Sequence, residues 1–278
     1  MTPALLLVAV LLSSVAAGLM GSLLGLGGGI IVVPVLTLGL GVDIRLAIAA
    51  SIVSVVATSC GGAARYVRSG LANLRLGVVL EAATVSGALC GAAAFGLVPA
   101  AALFLLFGMV LAGVAVRMAV ADDRDRPPPA GTPPDRWAER LRLSVPRSPA
   151  PGVPPYAVRR LGTGLAVSYV AGVLSGLLGI GGGVLKVPVM NLAMGVPLKA
   201  ATATSNLTIG MTASASAAMY LARGDIAPLL AAPVAVGVLL GATLGSVLLP
   251  RLQTRWLRRA FVLVLLVIAG QMIHRGWS

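Results

Sequence analysis

One stretch that cannot sit in a continuous helix occurs twice in this chain. Gly25–Pro34 reads GLGGGIIVVP and Gly179–Pro188 reads GIGGGVLKVP. Each glycine costs a helix about 1 kcal/mol relative to alanine, and the closing proline removes a backbone donor. Both copies lie deep in apolar sequence. The chain has 278 residues, of which 58% are hydrophobic and only 10% charged, and its mean hydropathy is +0.99. About a quarter of the residues of a soluble domain are charged, so this is an all-α polytopic membrane protein. Irregular backbone at membrane depth is tolerated only where protein buries it or it lines a cavity. The two breaks are therefore expected to face each other and form a substrate site.

The doubling extends far beyond the glycines. Positions 18–96 lie on 172–250 without a gap, with roughly two dozen identities, the mark of a duplicated unit. Ser51 falls on Ser205, Tyr66 on Tyr220 and Gly70 on Gly224. Gly87 and Gly91 fall on Gly241 and Gly245, spacings that let helices approach closely. Residues 1–121 form a first transmembrane repeat and 159–278 a second. Between them, 122–158 is a Pro-rich linker with PPPAGTPPD and PRSPAPGVPP, expected to be solvated and extended. Within it Asp135–Leu143 can form a short amphipathic turn with Trp137 and Leu141 on one side.

The spans of the first half are Leu5–Leu24, a short broken run at 28–41, Ile44–Ala64, Leu76–Leu97 and Ala100–Ala121. Those of the second half are Leu161–Leu178, a short run ending near Gly195, Leu198–Ala222, Ile226–Leu249 and Trp256–Ile273. No basic residue precedes Leu5, and the span has a mate at Leu161–Leu178, so it is read as a mature helix rather than a signal peptide. With five crossings per half, Arg45, Arg223 and Arg275 lie on one side and Lys186 inside. The rest of the 21 Lys and Arg residues lie on the other side. The positive-inside rule then places the linker in the cytoplasm and both termini outside. An odd number of crossings per half makes the two repeats inverted, each carrying its Gly-rich short segment. If the short runs were re-entrant, each half would cross four times and the charge asymmetry would be weaker.

Several chemistries are excluded by what the chain lacks. A net charge of +13 would suggest nucleic acid in a soluble protein, but here the arginines fall at span ends and in the linker. With two cysteines, Cys60 and Cys90, and one histidine, His274, no metal set can be assembled, and no cofactor motif is present. The cysteines read as small buried packing residues. The glycine runs lack the Lys-Ser/Thr of a P-loop. No nucleophile–base pair is visible, so the chain is not read as an enzyme.

The candidate site residues cluster around the breaks. Backbone N–H groups of Gly27, Gly28, Gly29, Gly181, Gly182 and Gly183 are suited to anion oxygens. Lys186 is a charge at membrane depth whose repeat mate is Val32, which suggests function rather than packing; snorkelling to an interface is the bland alternative. Glu81, with mate Ala235, is the one carboxylate inside a span. It could relay a proton for coupling, or pair with Lys186 or an arginine. Ser51, Ser205 and Asn206 offer neutral hydrogen bonds, within a run TATSNLTIGMT that also carries Thr208 and Thr212. Asn191 could join them, although serines and threonines often only bond back to their own helix.

Paired G-[LI]-G-G-G-x-x-x-x-P breaks, the continuation KVPV at Lys186–Val189, and GVPLKAATATSN resemble the sulfite exporter TauE/SafE family across both halves, the linker excepted. The resemblance implies an inner-membrane carrier of sulfite, sulfonates or other small inorganic or organosulfur anions, usually outward. The first half departs from it with Val32 in place of lysine and Ile52 in place of asparagine, so the site is expected to be asymmetric. The expected function is secondary transport of such an anion by alternating access. The partners are that anion and the lipid bilayer, and the sequence is compatible with a homo-oligomer. The rival is a non-transporting membrane scaffold or assembly factor that recruits partners through the linker; a carrier of a different small metabolite is a further alternative.

Overall fold

The computed structural model describes residues 3–24, 27–120, 135–147, 153–248 and 254–277. Gly25 and the proline-rich runs at 122–134 and 148–152 lie outside them. The described residues are helical apart from turns and one isolated bridge between Val145 and Tyr156. In the first half the helices are α1 (Pro3–Leu24), α2 (Gly29–Pro34), α3 (Ile44–Arg68), α4 (Leu74–Ala94) and α5 (Ala100–Val120). A short α6 (Arg136–Arg140) lies in the linker. The second half repeats the order as α7 (Leu161–Leu178), α8 (Gly183–Pro188), α9 (Leu198–Arg223), α10 (Pro228–Leu248) and α11 (Thr254–Trp277). Ile44–Arg68, Leu74–Leu97, Leu161–Leu178 and Pro228–Leu248 are each long and apolar enough to cross a membrane, and Val8–Leu23, Ala100–Val116 and the two short runs are apolar but shorter. This is a multi-pass membrane protein.

Local chemistry sets the element boundaries. The Asp43 side chain accepts the Arg45 N–H at 2.8 Å and starts α3, and Asn73 accepts the Leu76 N–H at 3.1 Å and starts α4. Helix α7 ends on Gly179 in the left-handed region. Helices α2 and α8 each contain their proline and then widen into a π-helical turn, Val35–Gly39 and Val189–Ala193. The proline ring pushes on the carbonyl one turn back and supplies no N–H, so the backbone opens beyond it.

The widest helix interfaces join one half to the other: α1 with α10, α4 with α7, α5 with α11, and α3 with α10. Glycines make the closest of them. Gly172 and Gly176 lie against the carbonyls of Thr84 and Ala88, and Gly87 and Gly91 against those of Tyr169 and Val173. Residue numbers rise together, so α4 and α7 run parallel. Gly237, Gly241 and Gly245 meet the carbonyls of Leu11, Val15 and Leu19, so α1 and α10 run parallel too. A β-carbon at any of these seven glycines would fall 2.0–2.8 Å from the facing oxygen, closer than alanine permits. Helix α9 also runs parallel to α4. The Asn73 N–H donates to Thr204 Oγ1 at 2.9 Å, Gly77 packs on the Thr208 methyl, and Glu81 meets Thr212.

The linker departs from expectation where it is described. Residues 135–147 and 153–158 are folded against the helical body. Ala138, Leu143, Val153, Tyr156 and Val158 are buried in one cluster with Leu76, Leu80, Met190 and Met194. The Asn73 amide donates to the Leu143 carbonyl at 2.8 Å and to the Tyr156 hydroxyl at 3.2 Å, and the Leu161 N–H donates to Asp135 at 2.9 Å. Burial pushes the Tyr156 phenol above its ordinary range, and the Asn73 hydrogen bond pulls the other way. Few but well-spaced apolar residues suffice to dock the strap. Trp137 and Leu141 do share a face, which is the outward one: they are 62% and 45% exposed. Cys60 and Cys90 are exposed and unpaired rather than buried, because a small apolar side chain can face outward from a helix that lipid surrounds.

Candidate functional site

The two breaks meet at the middle of the molecule. A β-carbon on Gly29 would lie 2.2 Å from the Gly179 carbonyl oxygen, so backbone touches backbone there. The Ser51 hydroxyl donates to the same Gly179 oxygen at 2.9 Å, which ties the centre of α3 to the break of the other half. Gly27 packs on Val55 and Ile209, a pair of repeat mates, and Gly181 packs on Val55. Gly181 and Gly182 have φ of +76° and +70°, a region that side chains with a β-carbon rarely enter. Gly27, Gly28 and Gly29 are buried, as are Gly181, Gly182 and Gly183. The Gly28 N–H donates to Thr58 at 3.3 Å.

A charged cluster adjoins the second break. Lys186 sits in the first turn after it, its N–H bonded to the Gly182 carbonyl at 3.2 Å. Its ammonium donates to Glu81 Oε2 at 2.5 Å and to Thr208 Oγ1 at 2.9 Å. The Thr212 hydroxyl donates to the other carboxylate oxygen of Glu81. Lys186 and Glu81 have side chains only 1% and 4% exposed, so neither snorkels. Thr208 and Thr212 lie one turn apart on α9 and present both hydroxyls to one side. Thr84, one turn along α4 from Glu81, packs against Gly182. A buried ion pair of this kind costs more in lost hydration than it returns unless each charge is also hydrogen-bonded, as both are here.

The repeat-related position, built from Val32, Ser54 and Thr58 of the first half and Ala235 of the second, is neutral. The repeat mates of Lys186, Glu81, Thr208 and Thr212 are Val32, Ala235, Ser54 and Thr58. There the Ser54 and Thr58 hydroxyls donate to carbonyls of their own helix, at Ser51 and Ser54. Lys186 comes from the second half and Glu81 from the first, and their mates Val32 and Ala235 leave the repeat-related position without either charge.

The residues singled out by sequence fall into three places. Lys186 and Glu81 form the charged cluster with Thr208 and Thr212. Ser51 belongs to the junction between the breaks, and Ser205 is buried on α9. Asn206 is separate: its side-chain amide donates to the Ser22 carbonyl at 2.6 Å and to the Tyr66 hydroxyl at 3.3 Å, and its backbone carbonyl accepts from Ser59 at 2.7 Å. Asn191 donates to the Val196 carbonyl at 3.0 Å and only closes the π-helical turn. The Ser22–Tyr66–Asn206 group has no counterpart in the expected site. The Tyr66/Tyr220 identity is the sequence signal for it, since Tyr220 likewise donates to the backbone at Gly176, the mate of Ser22.

The chain is similar to known membrane-transporter sequences over nearly its whole length. A family profile described as "Sulfite exporter TauE/SafE" matches residues 10–272. A "Probable membrane transporter protein YunE" of Bacillus subtilis (strain 168) is 27% identical over 267 residues, covering 94% of each chain. A "Probable membrane transporter protein" of Xylella fastidiosa (strain 9a5c) is 29% identical over 270 residues, covering 95% of this chain and 94% of its own. No solved structure matches.

Proposed function

We propose that this chain, which belongs to the sulfite exporter TauE/SafE family and is a membrane transporter, moves a small sulfur-containing anion such as sulfite or a sulfonate. The observation that carries this reading is the buried Lys186–Glu81 pair, bonded to Thr208 and Thr212 beside the second glycine break. A lysine at membrane depth supplies the positive charge such a cargo needs, and the two threonines supply oxygen-directed hydrogen bonds. Backbone N–H groups at Gly27–Gly29 and Gly181–Gly183 would add donors, and Ser51, Ser205 and Asn206 would brace the surrounding helices.

Alternating access between two inverted halves is the mechanism proposed. It draws support from helix direction. Helices α3 and α4 are joined by a turn of a few residues and therefore run oppositely, while α9 runs with α4. Mates α3 and α9 then point in opposite senses. Helix α10, opposite to α9, is likewise opposed to its mate α4, and α1, parallel to α10, is opposed to its mate α7. On this basis α1 and α3 run the same way, and the short run between them brings the chain back across the membrane. The charge distribution favours termini outside the inner membrane with the strap on the cytoplasmic side.

The test is flux. Reconstituted in proteoliposomes, the protein should move sulfite or a sulfonate in a saturable manner, and Lys186→Ala should abolish that flux in a protein that still purifies as a folded species. Unchanged flux in the variant would remove Lys186 from the site. The scaffold reading draws on the exposed Trp137 and Leu141. It predicts loss of function in Trp137→Ala/Leu141→Ala, whereas a transporter tolerates those substitutions. Deleting the docked residues 135–147 and 153–158 would not discriminate, because they are part of the packed body.

A further inference from the structure

We propose that an entering anion replaces Glu81 on Lys186, and that the displaced Glu81 carboxylate takes up one proton and stays in the pocket as the neutral acid. This rests on the pocket being the anion site. Two of the three ammonium donors of Lys186 are engaged in the structure, by Glu81 at 2.5 Å and by Thr208 at 2.9 Å. An ammonium has three donors and no acceptor, and an anion simply added to the pair would leave one uncompensated negative charge in a dry pocket. Exchange avoids that. With lysine charged, Glu81 neutral and one monovalent anion bound, the pocket carries zero net charge before and after.

The two copies of the pocket obey the same constraint. Val32 and Ala235 replace both members of the pair together at the repeat-related position, so the net charge is zero there as well. Among the described residues, no counter-charge other than Lys186 contacts Glu81. From α8 it meets Lys186, and from α9 Thr212, with Tyr220 two turns further on and bonded to Gly176. From α7, Ser168 and Ser175 are buried and Tyr169 is partly exposed. On α4 itself Arg75 turns to the Arg142 carbonyl and Cys90 is exposed. The protonated acid has a ready partner, because the Thr212 hydroxyl that now donates to Oε1 can accept the new O–H. The O–H bond forms on a Glu81 oxygen with a proton from the aqueous side. No electron is transferred and no other bond changes.

Two consequences follow from charge balance: binding carries one proton per monovalent anion, and a divalent anion is disfavoured because it leaves the pocket at a net charge of −1. The test is isothermal titration calorimetry on the purified full-length protein, in buffers of different ionisation heat. Methanesulfonate is the first probe because it is a permanent monoanion with no proton to give, and sulfate is the divalent comparison. The wild type should take up about one proton per methanesulfonate, and its affinity should rise about tenfold for each unit the pH falls. It should bind sulfate more weakly. Glu81→Gln should bind methanesulfonate with no proton uptake and no pH slope. Binding without proton uptake in the wild type, uptake that persists in Glu81→Gln, or a preference for sulfate would each overturn the exchange. Absence of any heat with both methanesulfonate and hydrogensulfite is a different result, and it would overturn the anion site itself.

Discussion

Lys186 is the residue on which chemistry and stability meet. Removing it leaves Glu81 buried against the Thr212 hydroxyl with no cation, a loss of about 3–5 kcal/mol for a broken buried pair. Removing both charges is far milder, since an apolar pair of similar volume often packs as well. Lys186→Met should therefore lower the melting temperature markedly, and Lys186→Met with Glu81→Gln should recover most of that loss without recovering transport. Thermal unfolding of the three proteins checks it; a double variant no more stable than the single one would show that the pair does not act as a unit. That Lys186 and Glu81 carry special weight was legible from their repeat mates, Val32 and Ala235. Their contact was one of several partnerships the sequence left open, because the placement of α8 against α4 decides it and spacing within one helix does not report the register between two. For the same reason Asn206 and Lys186 look like neighbours in sequence logic, yet Asn206 faces Ser22 and Tyr66.

The glycine breaks work through close approach as much as through conformational freedom. At Gly29 a methyl group would collide with the backbone oxygen of Gly179, which no side-chain adjustment relieves. Gly29→Ala should cost transport and stability together. Gly181→Ala meets the Val55 side chain at 2.6 Å and also sits at φ +76°. Trimming the neighbour in Gly181→Ala/Val55→Ala should relieve the collision but not the backbone strain, so recovery in a melting experiment should be partial. Full recovery would mean that φ does not matter there. The breaks themselves were fully legible, because runs of glycine closed by proline have few regular solutions. The strap was not: Leu143, Val153, Tyr156 and Val158 are sparse in a proline-rich segment, and only the groove under them reveals their spacing as a docking pattern.

At the scale of the molecule, the two halves are interleaved rather than set side by side. Each half supplies α1 or α7 to the other's α10 or α4, so neither half buries its glycine faces alone. Separately expressed halves should each be unstable and should recover when co-expressed, which co-purification would detect; a stable isolated half would contradict the interleaving. Duplication was plain in the sequence, and so was the membrane class, because apolar content and repeat identity are properties of composition and order. Which half packs on which was not, since matching repeats can lie side by side or exchange helices with the same identities. The most direct single measurement is sulfite or sulfonate flux into proteoliposomes containing the wild type or Lys186→Ala. Saturable flux in the wild type and none in the folded variant is the predicted result; equal flux in both, or none in the wild type, would contradict a carrier that works through this lysine.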